Sequence, residues 1–133
     1  MMTANIKALV AYRLEQADES LEAARTLLNK KLIRPCVNRA YYAMFYAVLA
    51  LLVPGKKETS KHSGAIALFD RDFVKQGIFS KDFSRWLHDA FDLRQRSDYA
   101  AEFHALPEEA KVTLTNAESF VAEVKKFLLK EES

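Results

Sequence analysis

Glycine and proline are scarce in this sequence, three of each in 133 residues. A β-sandwich or barrel builds its many turns from these residues, and a doubly wound sheet needs glycine loops, so both classes are excluded. Cysteine is scarcer still. The lone Cys36 rules out an internal disulfide and fits a reducing compartment. No reactive-thiol motif surrounds it, and it is predicted to pack as a small apolar residue. An excess of one charge is also missing. Twenty basic against eighteen acidic residues excludes coating nucleic acid through bulk charge, though local basic patches stay open. Long hydrophobic runs are absent too. The most apolar stretch, residues 40–53, contains three tyrosines and falls short of the roughly 20 residues of a membrane span. Residues 1–14 hold no signal-peptide core. The expected location is the cytoplasm, with no membrane partner.

Half of the residues are apolar or aromatic, enough for one hydrophobic core in one domain covering residues 1–133. Helical periodicity appears in five segments. Residues 5–30 carry an apolar stripe through Ile6, Val10, Ala17, Leu21, Ala24 and Leu28. Residues 34–53 are apolar nearly all round, which places that helix at the centre, with Pro35 in its first turn and Pro54-Gly55 as its end. Residues 60–76 form a shorter helix, capped by Thr59 or Ser60 and ended by Gly77. Residues 80–103 follow, with Phe83, Leu87, Ala90, Phe91 and Ala101 facing inward. The last helix starts after Pro107 and frays over residues 130–133. Short connections make long helices antiparallel neighbours. The predicted fold is all-α: an up-and-down four-helix bundle with an additional short helix.

Two helices break their own apolar pattern, and such breaks often mark functional positions. On the fourth, Arg94 falls inside the inward stripe. Asp98 follows one turn later, where it can pair with Arg94. A guanidinium withdrawn from water needs such a partner. Arg96 points to the opposite side as a surface charge. On the second helix, Arg39, Tyr42 and Tyr46 share one flank. These groups either form an ionic network that fixes helix register or line a ligand-holding cleft. A third feature is the segment 55–64, with Lys61 and His62 at a helix start, where free N–H groups attract anions such as phosphate. An ordinary solvated turn is the alternative reading. No Walker loop is present. The histidines His62, His88 and His104 have no helix-spaced pairing and lie far from Cys36, so no metal site and no cofactor are expected.

Taken together, Asn38-Arg39-Ala40-Tyr41-Tyr42-Ala43-Met44-Phe45-Tyr46, Ser60-Lys61-His62-Ser63-Gly64, residues 69–77, and Leu93-Arg94 with Asp98-Tyr99 resemble the HEPN family (higher eukaryotes and prokaryotes nucleotide-binding). The likeness is to its small stand-alone bacterial and archaeal members and spans residues 9–127. It implies a helical bundle that dimerises through helices. It also implies pairing with a minimal nucleotidyltransferase in toxin–antitoxin or defence systems, and, in several relatives, metal-independent ribonuclease activity. In those relatives an arginine is followed by a histidine after four to six intervening residues. Here Arg94 has no histidine in that window, and Asp98-Tyr99 stands in its place.

The resulting expectation is a nucleotide- or RNA-associated binding module. Its phosphate or ligand contacts would come from Arg39, Tyr42, Lys61, His62, Arg94, Asp98 and Tyr99. Its partners would be a second copy of itself and a nucleotidyltransferase. A ribonuclease toxin and a purely structural dimerising bundle are the alternatives.

Overall fold

A computed structural model gives the fold and describes residues 2–57, 59 and 61–132. Five α-helices follow one another: α1 (Ala4–Asn29), α2 (Ile33–Leu52), α3 (His62–Phe69), α4 (Lys81–Tyr99) and α5 (Pro107–Glu132). No strand occurs among the described residues. The four long helices make an up-and-down bundle, with α3 as the additional short element.

The apolar character of α2 decides its place. Twelve of its twenty residues are buried, from Cys36 to Leu52, and it packs against each of the other four α-helices. Cys36 is sealed in this core, and burial pushes its thiol pKa up, as suits an inert packing residue. Opposite α2 lies α5, with Ala117, Phe120, Val121, Val124 and Leu128 turned inward. Helices α1 and α4 flank this central pair. Among the described residues they do not approach each other. A gap between α1 and α4 is therefore left over the face of α2 turned away from α5, with the start of α3 against Tyr42 there. The half-buried α2 residues Asn38, Tyr42, Tyr46, Leu49 and Val53 recur at three- and four-residue steps and mark that open stripe.

Helix ends follow one recurring closure. After α1, the Lys31 N–H bonds Leu28 O at 2.9 Å and the Leu32 N–H bonds Leu27 O at 2.9 Å. After α2, Lys56 reaches Val53 O and Lys57 reaches Leu52 O; after the third helical segment, Gly77 reaches Val74 O and Ile78 reaches Phe73 O. This paired pattern satisfies the last carbonyls and requires a left-handed residue at its centre. Gly77 supplies it with φ 79°, but lysines supply it twice, Lys31 at φ 62° and Lys56 at φ 56°. The α2 closure thus turns on Lys56, one residue beyond the expected Gly55.

Other boundaries also shift from the periodicity. The 60–76 helix is α-helical only over His62–Phe69 and continues as a π-helical turn, Asp70–Val74. That wider turn keeps Phe69 and Phe73 stacked on the core while Asp70 faces His88 of α4 at 2.7 Å. Thr59 does not cap a helical amide. Its hydroxyl accepts the Lys61 N–H at 3.2 Å, and Lys61 occupies the cap position without a side-chain cap bond; the alternative cap Ser60 lies outside the described residues. Gly64 is needed beside it, because a Cβ there would come within 2.5 Å of the Thr59 hydroxyl. Helix α4 stops at Tyr99, so Ala101 is an exposed loop residue and not part of the inward stripe. The chain turns there to bring Phe103 under the Arg96 guanidinium, 4.7 Å from its ring, so Arg96 covers an aromatic residue instead of standing free. At the other end, α5 stays helical through Glu132.

Candidate functional site

The open stripe of α2 meets the Arg94 side of α4 in a polar cluster. Arg94 lies one turn beyond Ala90 and two beyond Leu87, so the packing of α4 on α2 carries it inward, and its side chain is only 12 % exposed. Its Nε lies 3.2 Å from Asp98 Oδ2. That contact is one of charge, since its angle does not suit a hydrogen bond and Nε makes none. The outer nitrogens donate elsewhere: Nη2 to the Tyr42 hydroxyl at 3.2 Å, and Nη1 to Gln95 Oε1 at 3.2 Å. The guanidinium also sits over three tyrosine rings, Tyr41 at 5.8 Å, Tyr42 at 5.3 Å and Tyr99 at 5.6 Å.

Asp98, 21 % exposed at its side chain, is shared with α2: its Oδ2 accepts from Asn38 Nδ2 at 3.1 Å. Asn38 in turn accepts from Arg39 Nε at 3.0 Å. The Arg39 guanidinium lies 4.8 Å from the centre of the Tyr42 ring. The contacts therefore close on themselves, from Arg39 through Asn38, Asp98, Arg94 and Tyr42 back to Arg39. Two cations and one anion leave the ring with one net positive charge. Tyr99 stands at its outer edge, 72 % exposed, with its face on Arg94.

Behind the ring lies a second pair. Tyr41 is fully buried, and its hydroxyl is 2.6 Å from Nδ1 of His62. Burial drives the phenol's pKa far upward, so it keeps its proton at neutral pH. The phenol and Nδ1 share one hydrogen bond, whose direction is set by the imidazole tautomer. The His62 ring stacks on Phe45 at 4.2 Å. Burial first, and the Arg94 charge second, hold its pKa below the ordinary value of 6.5. His62 is therefore mainly neutral at pH 7, and it belongs to the same neighbourhood as Arg94.

Of the seven residues singled out from sequence, Arg39, Tyr42, Arg94, Asp98 and Tyr99 come together, and His62 joins them edge-on to Tyr42, with ring centres 5.5 Å apart, and through Tyr41. Lys61 does not join them. It is exposed and lines a groove on the α1 side of α2, beside Thr59 and Lys57. His104 is exposed in the segment after α4. Sequence reasoning missed Asn38 and Tyr41 as members. The available signal was position: Asn38 stands one turn before Tyr42 on the same face of α2. Tyr41, facing the core, gives no hint of a polar partner. No group of three or more metal-type ligands occurs among the described residues, and no helix there is long and apolar enough to cross a membrane.

The HEPN domain model matches residues 10–127, which include the whole cluster. The chain belongs to the HEPN family. A UPF0332 protein of Thermotoga maritima is 35 % identical over 120 residues, covering 90 % of this chain and 91 % of the relative. Two proteins of Methanocaldococcus jannaschii named as candidate toxins are each 34 % identical. One match covers 87 % of this chain and 79 % of the relative; the other covers 96 % and 95 %. In this HEPN chain the Arg94 stripe and the Asn38–Tyr42 stripe face each other, so its two characteristic strings form one surface.

Proposed function

We propose that this HEPN protein is a toxin-like, nucleotide- or RNA-associated binding module. In this reading it acts as a homodimer and is the partner of a minimal nucleotidyltransferase in a toxin–antitoxin or defence pair. The observation that carries the binding role is the closed ring of Arg39, Asn38, Asp98, Arg94 and Tyr42, positively charged overall, with the exposed Tyr99 ring at its edge. Among the described residues Arg39 hydrogen-bonds only through Nε, to a neutral amide, so its outer nitrogens suit a phosphate. Tyr99 offers a face on which a base stacks, worth about 1–3 kcal/mol by alanine substitution. The names of the Methanocaldococcus relatives support the toxin side of this reading. The test is fluorescence anisotropy with short single-stranded RNA and a thermal melt with nucleotides, on wild type, Arg39→Ala and Tyr99→Ala. Binding that each substitution weakens about ten-fold, near 1.4 kcal/mol, is the expected result. Wild-type protein that binds neither RNA nor any nucleotide refutes it.

A second reading, a metal-independent ribonuclease, is favoured by one observation. Arg94 lacks a histidine downstream, but His62 stands behind the Tyr41 ring that Arg94 overlies. A neutral imidazole beside a guanidinium is a fitting pair for phosphodiester cleavage, with the guanidinium stabilising the charged transition state. RNA cleavage in the presence of a chelator, lost in both Arg94→Ala and His62→Ala, supports it. Binding without cleavage leaves the first reading.

A further inference from the structure

A groove of about 980 Å³ lies at the other end of the same open stripe of α2. Its floor is aliphatic: Ile6 and Leu9 from α1, Leu49 and Val53 from α2. Leu9 is 40 % exposed although it faces this groove. The rim is cationic, formed by Arg13, Lys56, Lys57 and Lys61, and no carboxylate lines it among the described residues. Lys57 pairs with Asp72, which it shares with Arg71. Arg13 bonds only the neutral Gln16, and among the described residues Lys56 and Lys61 form no ion pair.

The geometry points to this groove as the docking site for an acidic amphipathic helix of a partner protein. Helix shape follows from the floor, whose apolar residues come from two adjacent helices and lie parallel to them, leaving the seat of a third. Acidic flanks follow from the unpaired cations on the rim, which also discourage a second copy of this chain, since a symmetric contact here would bring like charges together. An aliphatic floor without an aromatic side chain gives nucleic-acid bases nothing to stack on, so a protein helix fits better than RNA. The groove shares no lining residue with the Arg94 cluster, and the inference does not depend on what that cluster binds.

The test uses the full chain and a fluorescein-labelled synthetic peptide of about 14 residues, with leucines at i, i+3 or i+4 and i+7 spacing and glutamates on both flanks. A scrambled peptide of the same composition is the control. The expected result is saturable binding of the patterned peptide, weakened at least about ten-fold by Leu9→Glu and by Lys56→Glu, and unchanged by Arg39→Ala. Backbone amide shifts in the bound state should centre on Ile6, Leu9, Leu49 and Val53. Both rim and floor variants change exposed side chains, and unchanged circular dichroism verifies their folds. Equal binding of the scrambled peptide overturns the inference, as does indifference to Leu9→Glu. Shifts at the groove produced by poly-uridine RNA but not by the peptide would reassign it to nucleic acid. Loss of RNA binding in Arg39→Ala with peptide binding intact keeps the two surfaces separate.

Discussion

Replacing Arg94 by methionine tests the polar ring most directly, because methionine keeps much of the stem volume and removes only the charge and its donors. Three contributions disappear together. The hydrogen bond to the Tyr42 hydroxyl accounts for about 1 kcal/mol. The guanidinium's position over three tyrosine rings adds about 0.5–1 kcal/mol for each well-placed ring. The ion pair with Asp98 lies between the surface and buried limits, with side chains 12 % and 21 % exposed. It therefore exceeds the 0.2–1 kcal/mol of an exposed pair but falls short of the roughly 3–5 kcal/mol lost when a buried pair is broken. Asp98 keeps Asn38 and some water, and the methionine recovers part of the packing. The expected net loss is about 2–4 kcal/mol. With an unfolding entropy of about 2.1 cal/mol/K per residue, the midpoint should fall by roughly 7–14 °C. Calorimetry on wild type, Arg94→Met, Asp98→Asn and the double variant measures the pair itself, and a coupling of about 1–2 kcal/mol is expected. A single variant that melts within about 2 °C of wild type, or a coupling near zero, refutes the reasoning, because Arg94 would then contribute no net ionic or aromatic stabilisation.

Lys31→Gly and Lys56→Gly should each stabilise the fold by about 0.5–1 kcal/mol in urea titration, since glycine relieves the left-handed strain of a lysine at the helix closure; Gly77→Ala, at φ 79°, should destabilise it by a similar amount. Tyr41→Phe removes the hydrogen-bond partner of His62 Nδ1 and should cost about 1–2 kcal/mol in urea titration. The lowered pKa of His62 has a defined sign: the unfolded chain takes up this proton first as pH falls. The stability it contributes is present above about 6.5 and is lost between there and the folded-state value, at no more than about 1.4 kcal/mol per pH unit. Urea titrations from pH 7.5 to 5 should show this component in wild type and not in His62→Gln, and parallel curves for the two proteins would disprove the assignment.

Helix number, order and the central place of α2 were legible because apolar periodicity and near-continuous burial are properties of the chain itself. The inward placement of Arg94 and its pairing with Asp98 were legible for the same reason, being consequences of helical spacing. What escaped depends on partners distant in sequence. Asn38 looks like a solvent-facing amide until α4 supplies Asp98, sixty residues away. Tyr41 looks like core until α3 brings His62 to its hydroxyl. Lys61 and His62 are neighbours in sequence, yet the turn at Lys61 puts one on the α1 groove and aims the other at α2. The closures at Lys31 and Lys56 escaped because lysine carries no left-handed preference; the hydrogen bonds of Leu32 and Lys57 impose it.

The ring also orders the roles of its two arginines. Arg94 is nearly enclosed, with its charge already answered by Asp98 and both outer nitrogens bonded within the chain. A phosphate reaching it would have to displace Asp98 or Tyr42. Arg39 is half-buried, forms no ion pair among the described residues although Glu19 lines the same small groove, and is held in orientation by Asn38 and the Tyr42 ring. In the proposed binding role an anion can therefore reach Arg39 without displacing an ion pair, while Arg94 fixes the tyrosines around it. On this division Arg39→Ala should weaken ligand binding while sparing the fold, whereas Arg94→Met should lower stability even when no ligand is present. The same division explains how an arginine within an apolar stripe is tolerated. Its charge is neutralised inside the ring, and the positive charge that remains is carried by Arg39.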